Sequence, residues 1–191
     1  LVHNGHQIIL ESKAGIQSNF KDDEYIKSGA DIVFSKEEVY ESDIIVKIEP
    51  PTKSELKLLK KGQQLISAIL LQTRNKDYFQ QLLKKDITSI AIEHIRDNEG
   101  KLSLLRIMSE IAGNTSLLIA SEYLSNVNSG KGLMLGGITG ISPTDVVVIG
   151  AGTVGEYACR TALGLGANVR VFDTSLSRLR RLYQLTGRRI S

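Results

Sequence analysis

Short β-branched runs alternate with amphipathic stretches along the chain, the pattern of a parallel sheet wrapped by crossover helices. Residues 7–11 read as a strand, 22–28 as a helix stopped by Gly29, and 31–34 as a second strand. Ser35 with Glu38 makes a capping box for a short helix, because the hydroxyl accepts from the third amide while the acid reaches back. Residues 43–48 follow as a third strand, and Thr52 with Glu55 opens another helix that Gly62 closes. A strand at 64–70, a helix at 75–85 and a strand at 88–93 complete a first lobe.

From 106 to 126 the apolar residues Ile107, Ile111, Leu118, Ala120 and Leu124 recur with helical spacing, which predicts a long connecting helix. Asn128-Ser129-Gly130 and the cluster Gly130, Gly132, Gly136, Gly137 and Gly140 come next, and the domain boundary is placed there. The expectation is an α/β protein of two Rossmann-like lobes with parallel sheets, residues 1–127 and 128–191. The second lobe holds one βαβ unit and the next helix, so it reads as the first part of a dinucleotide fold, which has further strands.

Composition narrows the function classes. The 191 residues are 41% hydrophobic and 24% charged with three prolines, as in a globular protein with a real core. No apolar run approaches the roughly 20 residues of a membrane helix, and nothing reads as a signal peptide, so a cytoplasmic protein is expected. Cys159, the one cysteine, has no internal disulfide partner and no metal-ligand spacing around it. The net charge of +3 comes from five arginines in the last 14 residues (Arg178, Arg180, Arg181, Arg188 and Arg189); setting them aside leaves 19 basic residues against 21 acidic. So short a run with almost no aromatic interleaving reads as a solvated helix face, not a nucleic-acid patch.

The chemistry is concentrated at Val146-Val147-Val148-Ile149, a continuous apolar run expected of a strand buried on both faces. It leads into Gly150-Ala151-Gly152-Thr153-Val154-Gly155. In such a strand–turn–helix Gly150 permits the tight turn, Gly152 lets backbone approach a pyrophosphate, and Gly155 lets helix pack on strand. The helix-start amides and dipole then hold the phosphate charge. The motif alone is weak. Here a second strand, 168–172, ends in Asp173 at the spacing where a carboxylate accepts from the adenosine ribose hydroxyls and repels a 2′-phosphate, which points to NAD over NADP. The alternative is that the glycines only turn the chain and Asp173 caps the next helix. Arg178 could lie beside the adenine or face solvent.

With those residues in view the chain resembles the alanine dehydrogenase family, whose relatives include the α subunit of the proton-translocating nicotinamide nucleotide transhydrogenase. Gly5-His6-Gln7 with Gly15 is similar to the family's RGHEV and glycine stretch, and Met108-Ser109-Glu110-Ile111-Ala112-Gly113 to its MSEVAG. The stretch from Gly130 to Gly140, GKGLMLGGITG, is similar to GRGVLMGGVPG. The resemblance implies a substrate domain lacking its first strand, an NAD domain, and hydride transfer across the cleft between them. It also implies reversible oxidative deamination of L-alanine to pyruvate and ammonia, a homo-oligomer, and cofactor contacts at Ser109, Thr153, Val154, Asp173 and Arg178.

The chain departs from the family at its catalytic positions. Lys47-Ile48-Glu49-Pro50-Pro51 puts Glu49 where KVKEP has its second lysine, and Leu70 or Leu71 stands where the histidine belongs. A carboxylate repels a substrate carboxylate, and leucine neither gives nor takes a proton. Positions 47 and 49 of a strand share a face, so Lys47 is the candidate ligand of the substrate carboxylate. His6, beside the start of the first strand, reads as a structural histidine, His94 follows a strand end with no evident partner, and neither reads as a general base. Three readings stay open: a divergent alanine dehydrogenase, the NAD-binding subunit of a transhydrogenase, and a non-catalytic NAD-binding relative.

Overall fold

A computed structural model describes residues 1–191, which divide into two compact units, Leu1–Ile95 and Arg96–Ser191. In the first unit β1 (Ile9–Glu11) pairs in parallel with β2 (Asp31–Val33). A second parallel sheet runs β3 (Ile44–Val46), β4 (Gln64–Ser67) and β5 (Thr88–Ala91) in sequential order. Parallel neighbours need crossovers, and α3 (Lys53–Leu58) and α4 (Lys76–Lys84) supply them; α1 (Asp22–Lys27) and α2 (Lys36–Val39) come earlier. Helix starts fall where the capping residues predict: Ser35, Thr52 and Asn75 each accept from the amide three residues on. The core gathers Tyr40, Ile45, Leu56, Leu59, Leu65 and Tyr78 around the central strand β4.

One helix end differs from expectation. α3 stops at Leu58 because Leu59 turns extended, and Gly62 lies beyond it. The Lys85 ammonium donates to the carbonyls of Leu56, Lys57 and Leu59, so a distant cation satisfies the helix end in place of a glycine cap.

In the second unit α5 (Ser103–Leu124) packs on α6 (Thr153–Gly164) through Gly113, where a Cβ would lie 2.5 Å from the Val154 carbonyl oxygen and 2.7 Å from Tyr157 Cβ. The long helix belongs with the second unit, and the division falls between Ile95 and Arg96. The glycine-dense stretch lies inside that unit: a Cβ on Gly136 would sit 1.9 Å from the Leu165 carbonyl oxygen, so close packing at the end of α6 requires the glycine. Ile107, Ile111 and Leu118, whose spacing announces the helix, are exposed, and Gly113 and Leu117 are buried.

Strands β6 (Asp145–Ile149) and β7 (Asn168–Phe172) pair in parallel through all five residues, and α7 (Leu176–Leu185) follows. Ile190 bridges Val169 in parallel, so the chain begins a third strand position beside β7. Val169, Val171, Cys159, Ala162, Leu117 and Leu182 form the core. β6 is not buried on both faces: Val146 and Val148 are half-buried against that core, but Val147 is 56% and Ile149 87% exposed. One layer of helices covers one face of a sheet, and these residues place none over the other.

Candidate cofactor site

β6 delivers the chain into a left-handed Gly150, φ +106°, and Gly152, two residues later, is the N-cap of α6. Gly155 has no room for a side chain, since its Cβ would stand 1.8 Å from the Gly150 carbonyl oxygen. Gly152 is the opposite case. Nothing lies within 4 Å of its would-be Cβ, and its φ of −76° suits any residue. No side chain caps α6, so the amides of its first turn keep their hydrogen-bonding capacity and the positive end of a twelve-residue helix faces open space.

Across from this turn stands Asp173, one residue past the Ile149–Phe172 pair that closes the β6–β7 ladder. Its carboxylate accepts from the Ala151 amide at 2.6 Å and the Ser175 amide at 2.7 Å. Those two bonds, Ala151's first, hold its pKa below the ordinary aspartate value, helped by the Arg178 charge. The group thus ties the glycine turn to the start of α7, and each oxygen retains a lone pair for a further donor. The cap of α7 is Ser175, whose hydroxyl accepts from the Arg178 amide, so Asp173 is not the helix cap.

A cleft of about 650 Å³ collects every position the sequence singled out for a cofactor. Gly150, Gly152, Thr153, Val154 and Gly155 line it along the turn and the start of α6, Asp173 just past β7, Arg178 from α7 and Ser109 from α5. Ser109 is indeed a helix-face serine, its hydroxyl donating to the Leu105 carbonyl at 2.8 Å, yet its face borders the cleft. Sequence reasoning missed Ser116, Leu117 and Ala120, which line the same cleft. Their spacing from 109, seven, eight and eleven residues on, was the available signal, since such positions share a helix face. Chemically, free helix-start amides, an open glycine and an ionised carboxylate fit a diphosphate joined to a ribose diol.

In the first unit Lys47 follows β3, and its ammonium donates to Glu55 at 2.8 Å. Glu55 is 7% exposed and also accepts from the Thr52 amide at 2.7 Å. Burial alone would raise its pKa, but the Lys47 bond and the Thr52 amide and hydroxyl outweigh it and bring the carboxyl down to about 2. Lys47 is therefore held by an internal partner as well as standing at a strand end. Glu49 is exposed. Leu70 sits in the left-handed region, φ +51°, where Glu93 fixes it by accepting from the Ile69 amide at 3.0 Å and the Leu70 amide at 2.7 Å. His6 is exposed ahead of β1, and His94 is exposed just past β5.

Family models agree with this arrangement. The alanine dehydrogenase/PNT N-terminal domain matches residues 1–112 and its C-terminal domain residues 116–191. An alanine dehydrogenase of Methanococcus maripaludis is 38% identical over 98% of the chain and 50% of its own length. A solved L-alanine dehydrogenase superposes with TM-score 0.89 at 35% identity, over all of this chain and 52% of that one. A transhydrogenase from Sinorhizobium meliloti shares the fold, with TM-score 0.84 at 22% identity over all of this chain and 56% of its own. The chain spans about half the length of the relatives it matches. With both domain models covering nearly all of it, the chain belongs to the alanine dehydrogenase/PNT family.

Proposed function

We propose that the protein is an NAD-dependent oxidoreductase carrying out the reversible oxidative deamination of L-alanine to pyruvate and ammonia. The observation that carries the cofactor half is Gly152, whose missing Cβ leaves open the space at the uncapped start of α6, opposite the ionised Asp173. Gly152, Thr153 and Val154 would hold the diphosphate, and Asp173 the adenosine ribose, its charge disfavouring a 2′-phosphate. Arg178 and Ser109 border the same space. Bound NAD would supply the hydride acceptor. Lys47 is the group of the first unit proposed to take the substrate carboxylate: Glu55 uses one of its three N–H donors and fixes its direction, leaving two. The family's alanine dehydrogenases support the substrate assignment, and a homo-oligomer in the cytoplasm accords with it.

A second reading rests on Glu49 and Leu70, which stand where an amino-acid dehydrogenase would place a cation and a proton carrier. In it the NAD unit is kept and the amino-acid site is lost, as in a transhydrogenase subunit or a non-catalytic relative. NADH formation by the intact protein with L-alanine and NAD separates the two. Alanine-dependent turnover supports the dehydrogenase, and tight NAD binding with no turnover on any 2-amino acid supports the second reading.

A further inference from the structure

We infer, independently of the dehydrogenase reading, that the first unit binds a small oxyanion in the cavity between the heads of α3 and α4. The cavity encloses about 340 Å³ and takes its lining from both helices and from the loops that lead into them. Lys53 and Arg74 line it, both exposed, and neither forms an ion pair. The buried acid of α3, Glu55, is engaged instead by Lys47 and Lys36. Asp77 is the one acid of the lining, so two cations stand against one carboxylate.

Unspent hydrogen-bonding groups define what fits. The side-chain oxygens of Thr52 and Asn75 accept from the Glu55 and Tyr78 amides as caps of α3 and α4, and the Thr73 hydroxyl donates to the Leu70 carbonyl. By contrast the Arg74 guanidinium, the Lys53 ammonium and the half-buried Gln81 carboxamide make no bond within the protein. A lining whose free groups are cationic and donating selects an anion rich in acceptors, a phosphate group or a carboxylate.

Arg74 is also oriented in advance. Its Cζ lies 5.7 Å from the centroid of the Tyr78 ring, and Tyr78 is 6% exposed, so a fixed aromatic plate holds the guanidinium. The N–H edges of the fork stay free for two parallel bonds to an oxyanion. Pro51, Leu56 and Tyr78, all buried, belong to the same lining. Low-dielectric material therefore backs the two cations, and an anion between them is screened less than one in open solvent. Bound there, it would join the loop before α3 to the loop before α4 and stabilise the first unit by mass action.

The test is a calorimetric titration of inorganic phosphate, and separately of malonate, into the intact protein saturated with NAD, so that the diphosphate seat on α6 is filled. About one equivalent of at least one anion should bind. Arg74→Gln and Lys53→Gln should each weaken it about tenfold or more, and Asp77→Asn should tighten it. Lys76→Gln removes a neighbouring exposed lysine outside the lining and should leave it unchanged. Without anion all four variants should unfold near the wild-type urea midpoint; the anion should raise that midpoint in the wild type but not in Arg74→Gln. Tighter phosphate binding assigns the site to a phosphate group, and tighter malonate binding to a carboxylate. No binding of either anion, equal affinity in wild type and Arg74→Gln, or an equal loss in Lys76→Gln overturns the site. Those three results leave the dehydrogenase reading standing, because they measure neither NAD binding nor alanine turnover.

Discussion

Replacing Gly152 and Gly155 separately by alanine should divide cofactor binding from folding. At Gly155 the added Cβ would meet the Gly150 carbonyl oxygen at 1.8 Å and Val148 Cγ1 at 3.3 Å. The first contact is with backbone, so α6 must move by more than an ångström from the turn. Overpacking of this kind costs about 1–3 kcal/mol, and each kcal/mol lowers Tm by about 4–8 °C for a unit of this size. At Gly152 the Cβ meets nothing, and the backbone is already one that alanine adopts. Losing a favourable N-cap residue and reducing the freedom of the unfolded chain oppose each other, so stability should stay within about 1 kcal/mol of wild type. Binding is another matter. A methyl where a phosphate must approach the helix start removes a charge-assisted hydrogen bond of roughly 1.5–3 kcal/mol, a loss of roughly 10- to 150-fold in NAD affinity. Urea unfolding and calorimetric NAD titration on both variants measure the two quantities. Wild-type NAD affinity in Gly152→Ala would refute the reasoning, because the open space there would then not be the diphosphate seat.

Glu55 gives a pH prediction. Its folded pKa, about 2 against 4.5 unfolded, is depressed, so its stabilisation is fully present above pH 4.5 and is lost as pH falls towards 2. The shift corresponds to roughly 3 kcal/mol at neutral pH; urea unfolding at pH 7 and pH 3 should show the loss, and Glu55→Gln should flatten it. Asp173→Asn puts an NH₂ against one of two amide donors, so NAD affinity should drop by about 10- to 100-fold and discrimination against NADP should narrow, both read in a competition titration. Lys47→Met should weaken pyruvate binding by about tenfold or more while leaving NAD affinity alone; unchanged pyruvate affinity would remove Lys47 from the substrate site.

Much of this architecture is legible in the amino-acid order, for identifiable reasons. Caps announce themselves, because Ser35, Thr52 and Asn75 carry the oxygen that an orphan amide needs, and each begins its helix. The residues that line the cleft are legible because strand, glycine turn, helix and acid occur in one fixed order. What is illegible depends on partners distant in sequence. Gly113 carries no hydropathy signal, yet it decides that α5 joins the second unit. The Gly136 region reads as a linker because glycine density has two causes, freedom and crowding, and here crowding against Leu165 is the operative one. Lys85 ends α3 from 26 residues beyond Leu59, a pairing no local pattern contains. The apolar run of β6 reads as a strand buried on both faces, yet Val147 and Ile149 are exposed.

The most direct test is NADH production by the intact protein with L-alanine and NAD, run beside a calorimetric NAD titration. Saturable, alanine-dependent NADH formation together with NAD binding in preference to NADP is the predicted result. Tight NAD binding without turnover would contradict the dehydrogenase assignment, and no binding of NAD at all would contradict the cofactor site on which the whole account stands.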